Sequence, residues 1–432
     1  MLVSNASLFA QFRQNLSVSN AEEISTKYAN ITTRLNLDFW EINSDTRHSL
    51  QVGSYGRKTA IDGVSDLDMV FELSSEDYER YKKLESNGPS TMLQEVRSSL
   101  LKRYPRSDVQ ADGQIVAVNF QGYRVEVLPA FLDQNGDYIY GDTHDGGTWK
   151  LTKPRPEIKA VNDLNNATNQ NLKDACKMLR AWKNKAGVGI GGLLIDTLAY
   201  NFFNLTDDYN DASWSDFPAM LVSLFTYLGG LDSEQEYWVA PGSGQRVKRK
   251  AKFQSKAKKA AARCQEAIDT ESEASRAKTW RKVFGKQFPK SEAVEKSARY
   301  SFDKEEFIDD RYPVDVRYNI ELDCEIREGT SFRELLRRKL RNRERVPTGR
   351  HLRFYVTECN VPGNYQLFWK VRNRGRDAIN RKMLRGEITA DTGNGKEKIE
   401  TSRFPGNHYV EVYVVKDGTC VARERIAVPI DA

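Results

Sequence analysis

The chain has 432 residues, 39% of them hydrophobic and 29% charged, with a formal net charge of +6. This length predicts two or three domains with sizeable cores. The mild positive charge permits a polyanionic partner without requiring one, and no apolar run reaches the 18 or so residues of a membrane span. Five scattered cysteines without a CxxC pair and four dispersed histidines argue against a zinc site or a disulfide framework. With no basic and apolar leader over residues 1–16, these features place the protein in a reducing cytoplasm.

Residues 19–42 predict a long helix. Ser19 and Glu22 have capping-box spacing, and Ile24, Tyr28, Ile31 and Leu35 follow on one face. Next, Gly53-Ser54-Tyr55-Gly56 predicts a turn entering a helix, and a short strand runs from Leu67 to Leu73. Glu76 to Lys102 is helix-prone and closes at Tyr104-Pro105. A hairpin follows, Gln114 to Phe120 and Tyr123 to Leu128, turned at Gln121-Gly122. Its second strand points Val125 and Val127 into the core, points Arg124, Glu126 and Leu128 the other way, and stops at Pro129. After a polar loop at 142–147, residues 162–203 read as helical, with Leu172, Cys176, Leu179 and Trp182 on one stripe. Another helix covers Phe217 to Leu228.

A basic run holds Arg246, Lys248, Arg249, Lys250, Lys252, Lys256, Lys258, Lys259 and Arg263. Phe253 is its single aromatic residue, which is poor for stacking on bases. A solvated face is favoured over a nucleic-acid site, and nucleic acid stays open as a partner. One helix is expected to continue through Ala267 and Ala274 to Trp280. Residues 290–306 read as a linker. From Phe307 onward the pattern is strands and turns: Val314 to Ile326, Leu352 to Cys359, Tyr365 to Arg372, Gly386 to Ala390, Tyr409 to Lys416 and Cys420 to Val428. These form a sandwich. The division is therefore residues 1–150, 151–300 and 305–432.

The chemistry concentrates between Gly53 and Glu126. Residues two apart in a strand share a face, which holds Asp66 and Asp68 about 7 Å apart. Two such carboxylates repel unless neutralised, and Mg²⁺ favours one or two carboxylates together with substrate phosphates. A lone DxD arises easily by chance. Here it follows Gly53-Ser54, with Arg57 and Thr59 between, and a third acid, Glu126, sits on an alternating strand. Asp66, Asp68 and Glu126 are thus the candidate catalytic and metal-ligating residues, for two Mg²⁺ ions with Mn²⁺ as the alternative. Two ions would hold a triphosphate and a hydroxyl in line. Gly53, Ser54, Arg57 and Thr59 are the candidate nucleotide-binding residues, joined by Thr152 at the cleft and Lys183 toward the triphosphate.

The pattern Gly53-Ser54, Tyr55, Arg57, Thr59, Asp66, Asp68 and later Val127-Leu128-Pro129-Ala130 resembles the polymerase-β-like nucleotidyltransferases. The likeness is greatest to the bacterial cGAS-like and oligoadenylate-synthase-like signalling enzymes, the CD-NTases. Leu179 to Lys183 and Trp280 to Gly285 resemble that family's helical half, so the likeness spans roughly residues 18–290. It implies an α+β palm with a long spine helix and a helical half. It also implies synthesis of a cyclic di- or trinucleotide from ATP or GTP in anti-phage (CBASS-type) defence, with a separate effector responding to the product. A linear oligonucleotide or RNA-end nucleotidyltransferase is the alternative. The family's third carboxylate is usually Asp, and here it is Glu126. Asn360 to Gly363, Phe368 to Gly375, Arg385-Gly386-Glu387 and Gly406 to Glu411 resemble the adenylyl/guanylyl-cyclase and SMODS-associated C-terminal sensor domain. That likeness implies an activating ligand there, with Arg372, Asn373, Arg385 and His408 as candidate contacts. Trp369 and Val371 read as sandwich core.

Overall fold

The computed structural model describes residues 4–63, 66–291, 305–392 and 396–431. The chain divides into two compact units, Met1–Tyr300 and Ser301–Ala432. Most of the expected linker at 290–306 lies outside the described residues. No helix among the described residues is long and apolar enough to cross a membrane.

The first unit has two cores. One lies against a seven-stranded mixed sheet of β1 (Ser49–Gln51), β2 (Asp66–Leu73), β3 (Asp108–Asp112), β4 (Ile115–Phe120), β5 (Tyr123–Leu132), β6 (Tyr138–Asp142) and β7 (Thr148–Thr152). The strand order is β1-β2-β5-β4-β3, with β6 beside β5 and β7 beside β6. Helix α1 is Asn5–Asn15, the spine helix α2 is Ala21–Phe39, and α3 (Gly53–Gly56), α4 (Ser75–Lys82) and α5 (Gly88–Arg103) follow. Ile24, Tyr28, Ile31 and Leu35 of α2 pack with Met92, Leu93 and Val96 of α5 against Leu67, Met69, Phe71, Val125 and Val127. The alternation expected at 123–128 is therefore present, and the turn at Gly122 needs its φ of +89°.

Two local expectations change. Ser19 does not cap α2 through Glu22, because its amide and hydroxyl both donate to Asp62, at 2.9 and 2.6 Å. Nor does Pro129 end its strand. Parallel pairing with β2 runs through Phe71↔Pro129. On the other side β4 pairs as far as Val127 and β6 begins at Ala130. The missing N–H of Pro129 thus falls in the gap between two partners.

The other core is helical: α6 (Pro154–Ala167), α7 (Asn171–Ala186), α8 (Gly192–Leu205), α9 (Phe217–Gly230), α10 (Gln254–Asp269) and α11 (Glu273–Phe284). Helix α1 belongs here rather than to the sheet, since Phe9 lies 5.0 Å from Trp280 and Phe12 lies 5.0 Å from Phe284, ring to ring. The single helix expected to reach Trp280 is two. The break at Thr270 to Ser272 is held by Arg276, which donates to the carbonyls of Thr270 (3.0 Å) and Glu271 (3.1 Å). The front of the basic run is not helical: β8 (Tyr237–Val239) pairs with β9 (Arg246–Lys248).

The second unit is a sandwich. Its sheets are β11-β10-β12-β15 and β14-β13-β16-β17, formed by β10 (Ile320–Glu328), β11 (Ser331–Leu335), β12 (His351–Cys359), β13 (Gln366–Arg372), β14 (Arg385–Ala390), β15 (Glu397–Thr401), β16 (Gly406–Lys416) and β17 (Thr419–Ile430). Leu322, Cys324 and Phe354 of one sheet meet Trp369, Val371, Val412 and Val414 of the other. Short helices α12 (Ile308–Arg311), α13 (Leu336–Arg341) and α14 (Arg376–Asn380) decorate it. Ile308, Val314 and Val316 cover the outer face at Phe368, Ile388 and Tyr413. Beside them Lys370, 1% exposed, is neutralised by Glu305 at 2.7 Å and Glu411 at 3.3 Å.

Placing α1 in the helical core has a measurable consequence. Phe9→Ala should lower the stability of the full chain by about 3–5 kcal/mol in urea unfolding, the usual effect of emptying an aromatic site. A loss below about 1 kcal/mol would remove α1 from that core.

Candidate active site

Strands β2 and β5 run parallel, with Asp66 opposite Arg124 and Asp68 opposite Glu126. The face away from α2 and α5 therefore carries Asp66, Asp68, Arg124 and Glu126 at one end, and turns apolar further along, where Val70 and Ala130 pack on Ile158 of α6. Neighbouring strands lie about 4.8 Å apart, so the Asp68 and Glu126 carboxyls are nearest neighbours. Like charges in that position repel. Burial, and then the Glu126 charge, push the Asp68 carboxyl up to about 7. Burial also raises Glu126, partly offset by Arg124, and the two carboxyls share a hydrogen bond.

Arg124 supplies a positive charge to Asp66 and Glu126, and Arg57 supplies one to Asp68. The Arg124 Nε lies 3.1 Å from Asp66, and its guanidinium also pairs with Glu126. No three acidic, histidine or cysteine side chains among the described residues converge into a complete ligand set, and Asp66 is turned toward Arg124. A cation already bridges these acids, so the donors suit a hard cation in charge and type. Gly53 adds a second fit. At φ +61°, a Cβ there would lie 1.9 Å from Asp68 Oδ2, so the turn closes over the carboxylate only without a side chain. The Val52 amide donates to the Asp68 carbonyl at 2.9 Å.

The other expected contacts divide. Ser54 is half-buried beside Gly53, and its carbonyl accepts the amides of Thr59 (2.9 Å) and Ala60 (3.2 Å). Arg57 and Thr59 are buried and both donate to Asp196 of α8, Arg57 Nε at 2.8 Å and Thr59 Oγ1 at 3.0 Å. Arg180 of α7 adds two bonds to the same carboxylate, at 2.6 and 2.9 Å. Burial alone would raise Asp196, but Arg180 and Arg57 outweigh it and lower it to about 2. These bonds tie the Gly53 turn to the helical core, and the Arg57 charge also acts on Asp68. Thr152 ends β7, which reaches β5 only through β6. Lys183 is half-buried near the end of α7, and the charges acting on it are Arg180 and Lys250.

A lysine group escaped the sequence reading. Lys173 of α7 is 7% exposed and donates to Asn162 Oδ1 at 2.8 Å. Burial, then Lys58 and Lys177, depress its ammonium to about 7. Lys58 follows the Gly53 turn, and Lys177 lies one helical turn beyond Lys173. The sequence signal was the Lys173/Lys177 spacing of four, beside the apolar stripe.

A parallel strand pair with acids at one end, a spine helix behind it and a helical half define the polymerase-β-like nucleotidyltransferase fold. Residues 1–165 match the model of the Second Messenger Oligonucleotide or Dinucleotide Synthetase domain, SMODS. Residues 302–431 match the Adenylyl/Guanylyl and SMODS C-terminal sensor domain. A probable cyclic nucleotide synthase of Bacillus cereus strain VD146 is 20% identical over 204 residues, covering 41% of this chain and 60% of the relative's length. CdnC of Escherichia coli MS115-1, solved with ATP, matches at a TM-score of 0.51 and 14% identity, over 66% of this chain and 98% of its own. The same protein in complex with HORMA-deltaN gives 0.50 at 15% identity over the same shares. The chain thus carries a SMODS-type domain at residues 1–165 and an Adenylyl/Guanylyl and SMODS-type C-terminal sensor domain at residues 302–431, and its first unit has the fold of CdnC.

The raised Asp68 gives a pH dependence with a definite sign. Its folded value of about 7 exceeds the ordinary 3.8, so the folded state holds a proton that the unfolded chain has lost. Metal-free protein should therefore lose stability as pH rises from about 4 to about 7. In thermal unfolding from pH 5 to pH 8, Asp68→Asn should reduce that loss, and an unchanged slope would contradict the coupling.

Proposed function

We propose that this chain joins nucleoside triphosphates, ATP and GTP foremost, into a cyclic di- or trinucleotide signal and releases pyrophosphate at each step. The observation that carries this is the Asp68–Glu126 pair with Asp66 on the same face, beneath a turn that only Gly53 permits. Two Mg²⁺ ions, with Mn²⁺ as the alternative, would be held by Asp66, Asp68 and Glu126 and would supply activation of the attacking hydroxyl and neutralisation of the leaving pyrophosphate.

The remaining roles fall to the chain itself. Glu126, raised by burial, takes the proton of the attacking hydroxyl. Asp66 leaves Arg124 to complete the cation site. Lys58, Lys173 and Lys177 repel one another, and a triphosphate relieves that repulsion. Lys183, which faces the charges of Arg180 and Lys250, is relieved in the same way. Ser54 and the Gly53 turn border the terminal phosphates.

The pairing of a synthetase domain with a sensor domain supports a synthase controlled by a cue at residues 302–431. It also supports a role in bacterial anti-phage defence of the CBASS type, with a separate effector responding to the product. The rival, linear or RNA-end transfer, would draw its nucleic-acid contacts from the basic run. Three of its nine cations are engaged within the fold: Lys252 pairs with Glu234 at 2.5 Å, Lys256 donates to the carbonyls of Ala186 and Gly187 at 3.0 and 2.7 Å, and Arg246 lies 4.5 Å over Tyr237.

Purified protein with labelled ATP, GTP, CTP and UTP and Mg²⁺, without RNA, should give phosphatase-resistant products. Asp68→Asn should lower their yield by on the order of 10²-fold or more. Label that appears only on added RNA, or pyrophosphate release untouched by the substitution, would contradict the assignment.

A further inference from the structure

The sandwich of the second unit contains a cavity of about 350 Å³, open at one end between its two sheets. That volume falls within the roughly 300–1,000 Å³ of small-molecule sites. Its floor is apolar, made by Phe354, Val371, Val410 and Val428, and Ile399 stands at its rim although 70% exposed. No large side chain fills it.

The mouth is electropositive. Two arginines line it, Arg385 and Arg403, against one acid, Glu400. Arg385 lines the cavity and spends its charge on Glu400, at 2.6 and 3.0 Å. Arg403 also lines it, is exposed, and has no ion-pair partner among the described residues. The wall is braced by His408, whose Nδ1 accepts the Arg374 amide at 3.0 Å and whose Nε2 donates to the Phe404 carbonyl at 3.1 Å. Both ring nitrogens are used and burial disfavours the charged ring, so His408 is neutral and structural. Of the four side chains that the family likeness singled out, Asn373, Arg385 and His408 line this cavity. Arg372 instead pairs with Glu305 at 3.2 Å.

We propose that this cavity binds a small aromatic anion, its ring on the Phe354–Val410–Val428 floor and its phosphate, sulfonate or carboxylate on Arg403. An apolar floor alone would take any small hydrophobe. The positive mouth with one uncommitted guanidinium selects an anion, since a charge-assisted bond to Arg is both directional and strong. What binding does rests on the sensor role proposed above, whereas binding itself does not.

The probe is 8-anilinonaphthalene-1-sulfonate, with N-phenyl-1-naphthylamine as its uncharged counterpart. Both are titrated by fluorescence into the full chain, with a non-hydrolysable ATP analogue filling the synthetase site. One sulfonate probe per chain is expected. Arg403→Gln should weaken it roughly tenfold, the loss of one charge-assisted contact, while Arg403→Lys retains it in part and the uncharged probe is unaffected. Met383→Trp, which fills the cavity, should abolish both. No binding, or binding unmoved by Arg403→Gln and Met383→Trp, overturns the proposal. Equal weakening of both probes by Arg403→Gln overturns the anion preference. Binding that leaves nucleotide synthesis unchanged would keep the cavity assigned and remove the sensor role.

Discussion

Like charges held side by side by strand register are the constraint around which the first unit is built. Parallel pairing of β2 with β5 sets Asp68 against Glu126 and leaves Asp66 on the same face. A sheet face in a folded core is ordinarily apolar, and this one becomes so at Val70 and Ala130. The acids at its other end cost stability unless a proton or a cation intervenes. Asp68 accordingly stays near neutrality up to a pH of about 7, and Arg124 leans across Asp66 and Glu126. Such strain is expected where function, rather than stability, set the residues.

Opposite charges are kept in separate places. The acids lie on the sheet, and Lys173 and Lys177 lie on α7, with Lys58 after the turn. A metal–triphosphate complex has the matching polarity, positive toward the acids and negative toward the lysines. A buried network of Arg57, Asp196 and Arg180 ties the Gly53 turn to α7 and α8. Its value is geometric. Removing Asp196 would leave two buried guanidinium groups without their shared counter-ion, and such losses typically cost about 3–5 kcal/mol. The turn over Asp68 would lose its footing with them.

The carboxylate cluster was legible because strand alternation is a strict two-residue rule, and Arg124-Val125-Glu126-Val127 obeys it. Trp369 was legible as core for the same reason, and it is 1% exposed. What stayed hidden depends on contacts between segments distant in sequence. Arg57 and Thr59 sit in a phosphate-like context, yet they turn to Asp196, well over a hundred residues away in sequence. Ser19 has capping-box spacing, yet Asp62 takes its hydroxyl. Strand β15, Glu-Lys-Ile-Glu-Thr, has too little apolar content to announce itself and owes its pairing to β12. That Gly53 must be glycine follows from Asp68 lying where its Cβ would be.

Under the proposed function, β2–β5 register makes a carboxylate site for two cations beside a triphosphate. The most direct test is electron paramagnetic resonance of Mn²⁺ titrated into the full chain with a non-hydrolysable ATP analogue. Two bound Mn²⁺ per chain are predicted, with at least one lost in each of Asp68→Asn and Glu126→Gln while the fold is retained. A stoichiometry left unchanged by both substitutions would contradict the account.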